Sequence, residues 1–217
     1  MNYNKLSNHK AAQLSYSDAI RLQQKLAKQV ITKDVVSKIK NVCAIDVSYK
    51  KTTAHCSAVV MDRKSLQQLE AVNTKTHVKY PYIPSFLMLR ESEPIFHVLK
   101  KLKTAFQLLL VDGNGQLHPR KCGLACYVGI ILDIPTIGVA KSQLCGTIKG
   151  NFVEIDDKKV GTIIQKRKNK KIFVSVGHKI SLRTAVKIVD EMILDNQWQP
   201  EPLKIADLNS KNQKLFV

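Results

Sequence analysis

The sequence predicts an α/β fold on a mixed central sheet, and three observations carry that prediction. Three strand-like runs follow one another between residues 41 and 78 with only short polar turns between them, as in an antiparallel meander. Beyond that point apolar strands alternate with helices bearing one apolar face, the pattern of strands joined by crossovers. No internal repeat and no low-complexity linker divides the 217 residues, of which 44% are hydrophobic, so the expectation is one domain over 1–217 with one substantial core.

Residues 1–14 are polar and read as a loose arm. Ser15-Tyr16-Ser17-Asp18 is a helix start, with Ile20, Ala27, Val30 and Ile31 as its apolar positions. Residues 41–50, 54–62 and 66–78 read as the meander, turning at Lys50-Lys51-Thr52-Thr53 and Asp62-Arg63-Lys64-Ser65. Pro81-Tyr82-Ile83-Pro84 is a rigid loop, because two prolines fix the backbone and disfavour a helix across it. Glu91-Ser92-Glu93-Pro94 opens a helix whose buried stripe is Ile95, Val98, Leu99 and Leu102. Residues 108–111 form a fully buried strand, Gly113-Asn114-Gly115 a turn, 122–132 a buried helix and 136–140 another core strand. Residues 160–165 and 172–176 form a hairpin around the basic run 166–171. Ser181 caps a helix with Leu182, Ala185, Val186 and Val189 on one face, and the stretch from Pro200 is partly helical.

The charge balance is strongly one-sided: 35 Lys and Arg against 17 Asp and Glu, a formal net charge of +18. Self-repulsion on that scale makes a polyanion, and first of all nucleic acid, the expected partner. Five cysteines, with no Cys-x-x-Cys and no histidine pair to complete a zinc site, read as buried thiols of a reducing compartment. The N-terminus has no apolar signal core. The longest apolar stretch, 124–132, is too short to span a bilayer, so a soluble cytoplasmic protein is expected.

Against that basic background two aspartates stand out. Asp46 lies inside Val42-Cys43-Ala44-Ile45-Asp46-Val47, and Asp112 closes Leu108-Leu109-Leu110-Val111 just before Gly113. A carboxylate at the edge of a core strand costs several kcal/mol unless paired or bound to a cation. Two of them in a chain that attracts anions suggest a Mg²⁺ site that meets phosphate, the physical signature of a nuclease. The plainer alternative is a cap at a strand-to-turn junction, to which Asp112-Gly113 alone is well suited.

Other residues are candidates in context. Tyr82, clamped between prolines, is preorganised to wedge or stack against a base, although such an aromatic more often pins a loop to a sheet. In Val111-Asp112-Gly113-Asn114-Gly115-Gln116-Leu117-His118-Pro119-Arg120 the glycines allow close approach of a ligand, and His118 can orient water or protonate a leaving group. Lys141, at a strand end, can bind phosphate. The run Lys166–Lys171 either tracks a phosphate backbone or is a solvated turn.

Taken together these segments resemble the endonuclease V family of deaminated-base repair nucleases. The resemblance runs over roughly residues 15–208. It rests on Ala44-Ile45-Asp46-Val47; on Pro81 to Leu87 with Arg90-Glu91; on Val111 to Gly115 with His118-Pro119-Arg120; on Asp133 to Lys141; on Val174 to His178; and on Pro200-Glu201-Pro202 running to Ala206-Asp207. It implies an RNase H-like fold with a mixed central sheet flanked by helices. It implies Mg²⁺, which Mn²⁺ can replace, held by Asp46 and Asp112, with Glu91 and Asp207 completing the shell through water.

Lys141 and His118 match positions that support the phosphate chemistry, and Tyr82 matches the wedge that fills the gap left by a flipped inosine. The wedge segment spans Pro81, Tyr82, Ile83 and Pro84, and the base pocket is expected near Ser85, Leu87, Gly113 and Leu124. Three departures bear on pocket and affinity: Ser85 stands where many members have Gly, Asn114 replaces a His of some members, and Arg183 an acidic residue of others.

The reading is a Mg²⁺-dependent enzyme, expected to be monomeric, that cuts the second phosphodiester 3′ to deoxyinosine and leaves 3′-hydroxyl and 5′-phosphate ends. DNA is favoured over RNA. The alternatives are an inosine-specific endoribonuclease of the same family, from which only reading of the 2′-hydroxyl would distinguish it, and a non-catalytic nucleic-acid-binding module.

Overall fold

The structure is a computed structural model that describes residues 14–216, so the expected loose arm lies almost wholly outside the described residues. The described strands form one sheet in the order β3-β2-β1-β4-β5-β9-β8-β7-β6. The meander is β1 (Asn41–Lys50), β2 (Thr53–Asp62) and β3 (Gln68–His77), antiparallel throughout. β4 (Leu108–Asp112) lies parallel to β1, and β5 (Thr136–Ala140) parallel to β4. β9 (Lys170–His178) runs antiparallel to β5 and pairs with β8 (Lys158–Arg167). The mixed sheet is thus as expected, with its parallel strands at the centre.

Helices cover both faces. On one side α1 (Tyr16–Ala27), α2 (Leu87–Leu99) and α3 (Leu124–Leu132) bury Cys43, Ile45, Leu109 and Val111. On the other, α4 (Leu182–Glu191) and α5 (Glu201–Lys211) share their core with Val42, Ala44, Leu108, Leu110, Ile137 and Val139. Because strand side chains alternate, odd positions of β1 and β4 face the α2 layer and even positions the α5 layer.

Three expectations are corrected. Helix α2 begins at Leu87, not at Glu91, and carries Pro94 in its interior. Burial of Met88 and Leu89 in the core outweighs the hydrogen bond that Pro94 denies the Arg90 carbonyl. The buried face of α1 is Ala19, Gln23 and Leu26, while Ile31 is exposed. Two short strands, β6 (Thr147–Lys149) and β7 (Phe152–Ile155), extend the sheet where none was expected.

Ser15 caps α1 and Ser181 caps α4, as the sequence predicts. The 113–115 turn is pressed onto the sheet: a Cβ at Gly115 would lie 2.1 Å from the Val176 carbonyl oxygen, and one at Gly138 2.4 Å from the Gly115 nitrogen. Side chains at either place would push the turn, and Asp112 before it, off the sheet edge.

Candidate active site

Alternation and register assemble the acidic centre. Asp46 and Asp112 are both even positions, so both point to the α5 side. The parallel pairing of Ile45 with Val111 makes the two aspartates neighbours on adjacent strands. Asp112 pairs with Val139 on β5, which brings Lys141 to the same edge on the same face. Helix α5 crosses that face and supplies Asp207. One carboxylate oxygen from each of Asp46, Asp112 and Asp207 lies within 4.8 Å of the others, the one such cluster among the described residues.

Each side chain has a defined environment. Asp46 is buried and accepts a 2.8 Å hydrogen bond from the Ser210 hydroxyl. Desolvation, reinforced by the neighbouring Asp112, pushes its pKa up to about 7. Lys141 Nζ lies 2.7 Å from Asp112 and 2.9 Å from Asp207. The two carboxylates overcome the burial of that ammonium and raise its pKa. Partial burial works to raise Asp207, but hydrogen bonds from Lys211 and Lys141 outweigh it and hold it below the ordinary carboxylate value.

The donor set is three carboxylates, all oxygen, which suits a hard divalent cation. Their crowding is a repulsion that Lys141 and the exposed Lys211 only partly offset, so the residues fit Mg²⁺ or Mn²⁺.

Glu91 reaches the centre from the other layer. It is buried on α2 and accepts a 3.0 Å hydrogen bond from the Tyr49 hydroxyl. Desolvation comes first among the causes that push it up to about 8, and the charges of Asp46 and Asp112 add to it. It stands beside the three-aspartate cluster rather than within it.

A cleft opens on the side of α1, α2 and α3, reaching Asn114 shortly after Asp112 in the chain; it is lined by Tyr82, Ser85, Leu87, Met88, Asn114, His118, Gly123, Leu124, Leu144 and Gln23. Of the expected pocket residues, Ser85, Leu87 and Leu124 line it directly. Gly113 adjoins it with φ +153°, where a Cβ would meet Leu124 at 3.4 Å. The 81–84 loop stands at its rim with Pro81 and Pro84 exposed, Ile83 half-buried and Tyr82 65% exposed.

That loop is pinned on both flanks. Arg90 donates to the Tyr80 carbonyl at 2.8 Å. On the other side the Ser85 carbonyl meets Gln23 Nε2 at 3.0 Å, His118 Nε2 at 3.0 Å and Arg120 Nη2 at 2.9 Å. Tyr82 is therefore an exposed ring on an anchored loop.

His118 was expected to orient water or move a proton, and the structure gives it another use. Its Nδ1 accepts from the Arg120 backbone N–H at 3.2 Å, so the neutral ring donates from Nε2 to Ser85. Burial pushes its pKa down to about 4, with the Arg120 charge adding to the effect. Both ring nitrogens are committed to the chain itself.

Sequence reasoning did not single out Gln23, Ser210 or Tyr49. Gln23 had a signal, a polar residue on the buried stripe of Ala19 and Leu26; Ser210 and Tyr49 had none. The basic run 166–171 is wholly exposed. Four cysteines are buried free thiols and Cys145 is half-buried. No described helix is long and apolar enough to cross a membrane.

Residues 24–208 match the family model described as Endonuclease V. The chain is 41% identical over 192 residues to an endonuclease V of Pyrococcus abyssi, covering 88% of this chain and 89% of that one. Among solved structures, the endonuclease V of Bacillus subtilis superposes with a TM-score of 0.86 at 27% identity, covering 95% and 94% of the two chains. The Ciona intestinalis endonuclease V, in complex with a 24mer DNA containing an inosine followed by a ribo-adenosine, gives 0.83 at 33% identity, covering 91% of this chain and 96% of that one.

Proposed function

From its membership of the endonuclease V family, to which the chain belongs, we propose that this nuclease cuts the second phosphodiester 3′ to a deoxyinosine, leaving 3′-hydroxyl and 5′-phosphate ends. The observation that carries the proposal is the convergence of Asp46, Asp112 and Asp207, together with a cleft whose rim presents Tyr82. A binding module gains nothing from three carboxylates turned toward phosphate, which speaks for a catalyst.

Asp46, Asp112 and Asp207 are assigned to hold Mg²⁺, or Mn²⁺ in its place. Bound there, the cation supplies Lewis-acid polarisation of the phosphoryl group and neutralises charge in the transition state. Glu91, close enough to feel both aspartates, orients water at the edge of the cluster. Lys141, whose ammonium lies against Asp112 and Asp207, can meet a phosphate oxygen at the same edge. Tyr82 occupies the gap left by the base that enters the cleft, and the base is met by groups near Ser85, Leu87, Gly113 and Leu124. His118 positions Ser85 rather than moving a proton.

A second reading is cleavage of inosine in RNA. The relative in complex with a strand whose inosine precedes a ribo-adenosine is the observation that favours it.

The test is a cleavage assay on matched DNA and RNA strands, each with one inosine, with Mg²⁺ and with chelator. Metal-dependent cutting of DNA at the second bond 3′ to inosine supports the proposal, cutting of RNA alone moves it to the second reading, and binding without cutting overturns both.

A further inference from the structure

We propose that the tip of the β8–β9 hairpin, through Arg167 and Lys168, is a docking site for the phosphate backbone of the nucleic acid at a distance from the cut bond. The inference rests on the nuclease reading above for the path of that strand.

The position follows from strand register. β9 is antiparallel to β5 with Phe173 opposite Ala140, the residue just before Lys141. The first residues of β9 therefore lie at the sheet edge that carries Asp112 and Lys141, and the hairpin runs on past it. Lys170 is three residues beyond Phe173, or about 10 Å along the strand. β9 also lies two strand spacings, roughly 10 Å, to the side of β4, so the tip stands roughly 15 Å from Asp112, or about four phosphates of a single strand at about 3.4 Å each.

The face also agrees. Ile172 and Val174 belong to the core under α4, and alternation turns Lys170 and its cross-strand partner Arg167 the same way, toward the side that holds the three aspartates, while Lys171 faces the other side with Phe173. Lys170 Nζ sits 5.2 Å from the Trp198 ring centroid, next to the start of α5.

The tip is built to stay in place. Arg167 and Lys170 pair across the turn, and Asn169 takes the left-handed conformation, φ 63°, that asparagine tolerates. Lys166 is tied to Asp190 of α4 at 2.6 Å. Lys171 Nζ lies 5.4 Å from the Phe173 ring centroid. With Lys166, Lys170 and Lys171 so used, Arg167 and Lys168 are exposed and have no carboxylate partner within 4.0 Å among the described residues. Two free cations on a braced hairpin at the catalytic edge match a polyanion better than a neutral or apolar partner.

The test is the double variant Arg167→Ser/Lys168→Ser, which keeps Lys166, Asn169, Lys170 and Lys171 and so the turn. Binding to an inosine-containing 30mer duplex and to one trimmed to two base pairs on either side of the cut bond is measured with chelator across a salt series. Steady-state cleavage of both follows with Mg²⁺, and a melting curve checks the fold. The expected result is a fall of about 1.8 in the log–log salt slope for the long duplex, with a higher KM, unchanged kcat and no change on the trimmed duplex. An unchanged slope on the long duplex overturns the proposal, and so does equal weakening on both. An unchanged slope accompanied by loss of binding to an acidic protein partner assigns the tip to that partner instead. Wild-type cleavage of the long duplex judges the nuclease reading separately: failure to cut sinks that reading, while the salt slope still decides the hairpin.

Discussion

Arg120 grips Ser85 at two atoms, with Nη2 2.9 Å from its carbonyl oxygen and 2.8 Å from its hydroxyl. Ser85 has φ 65°, a left-handed conformation that costs a residue with a Cβ roughly 1–2 kcal/mol. A glycine takes that conformation freely. In this chain the serine hydroxyl gains a charge-assisted bond that offsets the strain, so Ser85 and Arg120 act as a pair. Replacing Arg120 with Met should loosen the loop that presents Tyr82 and raise KM for an inosine-bearing strand roughly tenfold, with kcat much less affected. Adding Ser85→Gly to that variant should recover part of the loss by removing the strain. Steady-state kinetics of the single and double variants would decide it; no recovery in the double variant would break the coupling argued here.

His118 predicts a pH-dependent stability. The unfolded chain takes up this proton below about pH 6.5, whereas the folded protein holds its ring neutral down to about 4. Between those values the unfolded state binds more protons, so stability falls as pH falls, by about 3 kcal/mol across the window, and His118 adds no further loss below it. His118→Gln, which can still donate to the Ser85 carbonyl, should flatten this part of the curve. Denaturant titrations at pH 7, 6, 5 and 4 on both proteins measure it, and parallel curves would assign the acid sensitivity elsewhere.

Lys141 bridges Asp112 and Asp207, so its loss has separable effects on stability and chemistry. Lys141→Met leaves Asp112 without its ammonium and Asp207 with Lys211 alone, and should lower Tm in chelator. With Mg²⁺ present most of that loss should return, because the dication neutralises the same oxygens. Cleavage should remain slowed by roughly a hundredfold in kcat. Scanning calorimetry with and without Mg²⁺, beside single-turnover rates, separates the two; a kcat near wild type would remove Lys141 from the phosphate chemistry.

How far the site could be read from sequence depends on where each carboxylate sits. Asp46 and Asp112 are legible because a charge inside an apolar strand is a conflict that needs a reason. Asp207 lies on the mostly polar helix α5, where an aspartate is unremarkable, and only the family resemblance brought it forward. Glu91 was placed at a helix start because Pro94 suits one; that helix begins earlier because Met88 and Leu89 add apolar contact that local propensity does not register. β6 and β7 were not expected, since every residue of β6 faces water and β7 buries only Val153, which leaves no alternation to read. The meander, the central strands and the Ser15 and Ser181 caps were legible because period and capping chemistry agree there.

Tyr82 tests the division between fold and function at the rim. It is 65% exposed, so Tyr82→Ala should change stability by no more than about 0.5 kcal/mol. Its loss should still erode the preference for inosine over guanosine substrates by roughly tenfold, since the anchored loop would then carry nothing to fill the opened stack. Competition between the two substrates gives the ratio directly. An unchanged preference would mean that the cleft alone selects the base.

The acidic cluster gives the sharpest prediction, because its crowding opposes folding and serves catalysis. Asp46 is buried against Asp112, and the two carboxylates repel. Asp46→Asn keeps the shape and an acceptor for the Ser210 hydroxyl while removing one charge, so in chelator the variant should melt at the same temperature as wild type or above it. Added Mg²⁺ should raise the wild-type Tm, by an amount equivalent to about 2.7 kcal/mol at a hundred times Kd, since the ion binds only the folded cluster. The variant should show little of that rise and should lose roughly a thousandfold or more in cleavage rate. The pairing of outcomes matters more than either alone. A structural pair of aspartates would give a destabilised variant with no difference in its response to Mg²⁺, whereas a cation site gives a variant stable without the ion, indifferent to it, and inactive.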